Sequence, residues 1–253
     1  MQRFLLTIIL LLYVMVRPVM HDSMYLHSAQ GYLMLEDFQG YGSSPFPAWE
    51  STKPYDQVAR IYSVLVEGDR KFLRASTLEL NKMIQIGRPI KKIKFTGPDN
   101  YWDIYKYPCI QWDWRVHTIP KGADERIGNV NDSAASIYVV FPRKNLPVLD
   151  WENQPADWFK YVWSSTLPVG TVVQKHVKKY GVTLYKGKTI VVASGSSNLK
   201  KWVTFKRNVL ADYRTYFGKE PKYHPSVIGI LTDSNSTKSS AMADYDNIMV
   251  LTD

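Results

Sequence analysis

Along most of the chain, hydrophobic and polar residues alternate with a period of two. That spacing puts successive side chains on opposite faces of a strand. The clearest stretch is 110–117. Ile110, Trp112, Trp114 and Val116 point one way; Gln111, Asp113, Arg115 and His117 point the other. Similar segments at 32–36, 61–67, 72–76, 83–86, 90–95, 136–141, 159–164, 189–194, 202–208, 227–232 and 247–251 predict a series of short strands. Turn residues separate them, as at Gly97-Pro98-Asp99-Asn100 and Asp233-Ser234-Asn235. A basic, polar segment at 169–188 predicts a hairpin around 178–181. One helix is predicted over 209–217, with Asn208 as N-cap, Gly218 in the left-handed position after it, and Leu210, Tyr213 and Phe217 on one side. The pattern predicts an all-β fold: an antiparallel two-sheet sandwich of jelly-roll type with one short helix.

The first residues follow a different pattern. Phe4 to Val16 is apolar apart from Thr7, with Arg3 before it and Arg17-Pro18 after it. Such a run spans about 20 Å as a helix, which is short of the ~30 Å hydrocarbon core but matches the length of a secretory h-region. Residues 1–29 are therefore expected to be a signal peptide, with cleavage near Ala29. Residues 30–253 are expected to form a single β-sandwich domain, since no linker composition or internal repeat divides them. Export predicts a periplasmic or secreted location, with no membrane span once the leader is gone.

Composition refines this picture. The chain has 253 residues and a net charge of +9; losing Arg3, Arg17 and Asp22 with the leader leaves +8 on the domain. Basic charge points to anionic partners, and export turns the choice from nucleic acid towards glycans or lipid headgroups. A single cysteine, Cys109, excludes an internal disulfide framework and reads as a small buried hydrophobe. Aromatic residues make up 13% of the chain. Trp49, Trp112 and Trp114 read as core. Trp102, Trp151 and Trp158 fall in loop-like segments, where a flat ring could stack on a sugar.

Five segments, in order, carry a resemblance. They are Trp112-Asp113-Trp114-Arg115-Val116, the stretch from Asn131 to Phe141, Tyr161-Val162-Trp163, the stretch from Ala211 to Gly218, and Leu231-Thr232-Asp233 leading to Tyr245-Asp246-Asn247-Ile248. Together they resemble a bacterial secreted family, domain of unknown function 3047, over roughly residues 33–251. The resemblance implies a galactose-binding-like jelly roll and no assigned chemistry. Two departures stand out. Where galactose-binding-like jelly rolls carry an acidic pair before the last strand this chain has Asp246-Asn247, and where the resembled family tends to place an Arg before its Tyr-Val-Val-Phe strand it has Ser136-Ile137.

Three constellations could carry chemistry. The polar face Gln111, Asp113, Arg115 and His117 offers amide, carboxylate, guanidinium and imidazole groups, with Trp102 and Trp158 as stacking partners. Arg115 would supply a fork for a sugar carboxylate. The plainer alternative is a solvated face with a surface ion pair. Glu36, Asp37 and Asp246 could meet if the first and last strands pair, giving oxygen ligands for a structural calcium ion, to which Asp233, Asn235 and Asp244 could add. The competing reading makes them turn residues. The insertions at 117–132 and 142–157 flank the most regular strands, where binding loops are common. No nucleophile-elbow, zinc-helix or P-loop pattern occurs. The expectation is a non-catalytic, carbohydrate-binding-module-like protein that takes an envelope or extracellular glycan, an acidic one included. The alternatives are a hydrolase, a lyase built on His117, Tyr138 and Arg115, and an envelope protein-interaction domain.

Overall fold

The computed structural model describes residues 31–78, 83–93, 101–143, 156–179 and 182–253. The expected leader, Trp151, the turn at 97–100 and most of the 142–157 insertion lie outside the described residues.

Twelve strands form two facing sheets. They are β1 (Tyr32–Glu36), β2 (Tyr62–Glu67), β3 (Arg70–Ser76), β4 (Ile86–Pro89), β5 (Cys109–Thr118), β6 (Ala135–Pro142), β7 (Ala156–Ser164), β8 (Val172–Lys179), β9 (Val182–Ser194), β10 (Val203–Asn208), β11 (Val227–Leu231) and β12 (Met242–Leu251). Sheet I runs β10-β5-β12-β3-β2, with β1 pairing the second half of β12. Sheet II runs β4-β11-β6-β7-β9-β8. The result is the expected jelly-roll sandwich, with one correction: β7 and β9 pair in parallel. The cause is the expected hairpin, whose strand β8 lies at the sheet edge and returns as β9 beside β7.

Local chemistry explains other differences. The segments 83–86 and 90–95 do not form separate strands. One short strand, β4, spans the gap between them, and Ile90–Lys92 turns as a 3-10 helix after Pro89. Proline has no N–H to donate, which suits it to the end of an edge strand. Helix α1 (Tyr55–Val58) is a single turn that the pattern does not predict; α2 (Val209–Phe217) matches its prediction. The Asn208 side chain accepts the Ala211 N–H at 2.8 Å, and Gly218 takes φ 66° after the last turn.

The core lies between the sheets. Trp112 and Trp114 face inward from β5, fully buried, against Tyr161 and Trp163 from β7. Removing each ring from water contributes about 2–3 kcal/mol. Neither indole N–H meets an acceptor, which offsets part of that gain. Trp49 is also buried, and Cys109 is buried with its thiol pKa raised by desolvation.

Candidate functional site

The outer face of sheet I carries the four polar residues of β5, as the alternation predicts. Antiparallel pairing sets Asp244 of β12 beside Arg115 and Arg74, and Asp246 beside Asp113. A lattice of ion pairs results. Asp244 accepts from Arg74 at 2.7 Å, Arg115 at 2.8 Å and the His117 ring at 2.7 Å. Arg115 also grips Glu67 through two hydrogen bonds. Arg70 bridges Asp113 and Asp246 at 2.5 and 2.6 Å, and Thr204 donates to Asp113 at 2.6 Å. Trp202, just before β10, lies over Arg70 at 3.6 Å and Arg115 at 4.8 Å. Among the described residues, Gln111 donates to the Met249 sulfur at 3.7 Å.

This arrangement engages three of the β5 groups expected to reach a ligand, Asp113, Arg115 and His117, in ion pairs. The Arg115 guanidinium is held by two carboxylates under an indole. Burial alone would raise the Asp244 pKa, but hydrogen bonds from His117 and Arg74 outweigh it and hold the carboxyl below its usual range. Asp246 goes the other way: burial pushes it up to about 6 despite its pairing with Arg70.

The asparagine that follows Asp246 fits its surroundings. Asn247 sits at φ 48° in a bulge of β12 and donates its side-chain amide to Asp113 at 2.9 Å. An aspartate there would add a third carboxylate beside Asp113 and Asp246, and asparagine is among the residues that best tolerate a left-handed backbone.

The other expected residues are elsewhere. Trp102 is fully buried and donates its indole N–H to the Tyr107 carbonyl at 2.7 Å, so it belongs to the core and offers no ring to a ligand. Glu36 is buried and accepts from Trp49, Tyr41 and Arg88. Asp37 accepts the Gln39 N–H in its own turn. Asp246 is held by Arg70 on another face. The calcium expectation thus finds no oxygen cage in these three, and no metal-ligating group of three or more occurs among the described residues. The trio His117, Tyr138 and Arg115 is also split, because Tyr138 belongs to sheet II.

The outer face of sheet II holds the less expected constellation. Strand register places side chains there in rows. Val227, Val140, Trp158, Gly187 and Lys175 form one; Gly229, Tyr138, Lys160, Thr189 and Val173 form the next. Tyr138 and Trp158 are half-buried with ring centroids 5.7 Å apart. Between these rings and the sheet end lies Lys160, 7% exposed, whose ammonium donates to Ser133 Oγ at 3.3 Å. Ser133 donates onward to Glu125, which also accepts from Ser164 at 2.7 Å. The 117–132 insertion supplies Glu125 and Asp132, and the turn after β11 supplies Asp233; all three are buried.

Their environments differ. Hydrogen bonds from Thr237 and Ser236 overcome burial and keep Asp132 low. Burial raises Asp233 to about 6, with Asp132 adding to the effect and Lys160 opposing it. Burial lowers Lys160 and Lys175. Two hydroxyls on the same face, Ser136 Oγ and Thr189 Oγ1, are buried without a hydrogen-bond partner. A sequence signal for this site existed. Lys160 is the only cation in 156–164, a strand whose two faces are otherwise mostly apolar.

The solved structures to which this chain is similar include an endoglucanase and two xyloglucanases. The endoglucanase Cel12A of Rhodothermus marinus shares 9% identity, with 88% of this chain and 92% of that one covered, at a TM-score of 0.42. The family 12 xyloglucanase of Bacillus licheniformis shares 9%, with 83% and 99% covered, at 0.43. The xyloglucanase domain of NopAA from Sinorhizobium fredii, solved with cellobiose, shares 12%, with 82% and 99% covered, at 0.31. No site residue is carried across at these values. Comparison with the curated proteins returns no match. The model of the family described as "Protein of unknown function (DUF3047)" matches residues 62–249, most of the two sheets and both candidate faces, and the chain belongs to that family.

Proposed function

We propose that this protein is an exported, non-catalytic glycan-binding sandwich of the periplasm or cell exterior, and that it binds on the outer face of sheet II. The carrying observation is the pair of half-buried rings, Tyr138 and Trp158, beside Lys160 and two unpartnered hydroxyls. Aromatic faces take the C–H surface of a sugar, and buried donors fix its hydroxyls. The apolar run at the N-terminus supports export. On this reading the sheet I face, with Asp113, Arg115 and His117, stabilises the fold. Glycan-array binding by the mature chain tests the assignment. Trp158→Ala should abolish binding and Gln111→Ala should leave it intact; the reverse pattern would return the site to sheet I.

A hydrolytic or eliminating enzyme on the same face is the second reading. The observation that favours it is the hydrogen-bonded pair Asp132 and Asp233, whose environments push their pKa values apart beside a buried lysine. Such separation is what assigns an acid and a base. Release of reducing ends or of unsaturated uronate from polysaccharides by the wild type, lost in Asp233→Asn, would establish it.

A further inference from the structure

The chain's net charge of +9 suggests an acidic ligand, but the charges at this face do not. Lys160 lies within electrostatic reach of Asp233, Glu125 and Asp132, and Lys175 is the other cation near them. Among these described groups, two ammoniums face three carboxyls. Arg126, next to Glu125 in the chain and within reach of its charge, is exposed and pairs with Asp124, so the two add one charge of each sign.

The hydrogen-bond count points the same way. An ammonium has three donors, and Lys160 uses one among the described residues, at 3.3 Å. Thr189 stands directly across from it in the β7–β9 register, and Ser136 occupies the next outward position on β6 after Tyr138. Both hydroxyls are fully enclosed and unpartnered. Buried polar groups in folded proteins are almost always satisfied, so these positions are fitted to water or to a polar guest. A guest carboxylate or sulfate would bring a further negative charge to a buried group already richer in carboxyls than in cations, and would lose its hydration to do so. A neutral hydroxyl can accept from Lys160 without that cost.

We infer that the outer face of sheet II selects an uncharged, hydroxyl-rich sugar over a uronate or sulfated one, with Lys160 as the specificity-determining donor. This rests on the reading that the face binds glycan. The test is isothermal titration of the wild-type mature chain with neutral gluco-, galacto- and xylo-oligosaccharides and with glucuronate and galacturonate oligomers of matched length. Neutral oligomers should bind about tenfold or more tightly than their charged counterparts. Lys160→Met, close in volume, should weaken neutral binding by at least a similar factor. Equal or tighter binding of the uronates by the wild type overturns the selectivity and leaves the glycan reading standing. Absence of binding to every oligomer overturns both. The wild-type comparison needs no variant to fold.

Discussion

The indole of Trp158 occupies the space that a side chain at position 187 would need: a Cβ on Gly187 would fall 2.0 Å from the ring's Cζ2. Glycine is required here by close approach of the ring, and this contact lays the Trp158 ring flat on the sheet. Gly187→Ala should force the ring to swing away, with a stability loss of about 1–3 kcal/mol. Intrinsic fluorescence and urea unfolding would show it, and glycan binding should fall with it. An unchanged emission spectrum and midpoint would mean that the ring is not seated on Gly187.

Asp244 is the keystone of the opposite face. It is fully buried and receives Arg74, Arg115 and His117. Removing one partner of a buried ion pair leaves charge uncompensated, which costs about 3–5 kcal/mol. Asp244→Ala should lose that much by chemical denaturation, and Asp244→Ala with Arg115→Met should recover part of it. The carboxyl is held below its usual range, so its stabilisation is present above ordinary carboxylate pKa values and disappears as pH falls through the native one. Additive effects of the two substitutions would show that the contacts are not coupled.

Alternation made strand β5 and its two faces legible from sequence, because burial on one side alone leaves a period of two. The cap residues made α2 legible in the same way. What alternation cannot convey is which charges on a polar face meet one another. The lattice around Asp244 draws on positions 67, 74, 115 and 117, whose partnership depends on strand order. Trp102 was misassigned because a buried ring that satisfies its N–H within its own loop has the sequence signature of an exposed one. The constellation on sheet II was hidden for a related reason. Lys160, Asp233 and Glu125 come from three distant segments, and a lone lysine in an apolar strand does not name its partners.

The cap of α2 gives a separate test of the local reading. Asn208 accepts the Ala211 N–H, and Gly218 stands in the left-handed region. Asn208→Ala should cost about 1 kcal/mol. Gly218→Ala should cost about as much, because a Cβ is disfavoured at that φ. Thermal unfolding of both variants would check this; a Gly218→Ala protein as stable as wild type would show that the helix does not end there.

Asp233 gives a pH dependence that one substitution isolates. Its native pKa, raised by burial and by Asp132, is about 6, whereas an unfolded carboxyl titrates near about 4. Across that interval the folded chain keeps a proton that the unfolded chain has lost. The residue's contribution is therefore most favourable below the unfolded value and declines as pH rises through the native one. A shift of this size corresponds to about 3 kcal/mol at most. Asp233→Asn cannot ionise, and its amide can still donate to Asp132. The stability of wild type relative to Asp233→Asn should therefore fall steadily between about pH 4 and pH 6 and level off above. Asp246, also raised to about 6, is present in both proteins and cancels. Urea midpoints measured for both at intervals across this range would decide it: parallel curves would mean that Asp233 is already ionised in the folded protein at pH 4, and that Lys160 outweighs burial there.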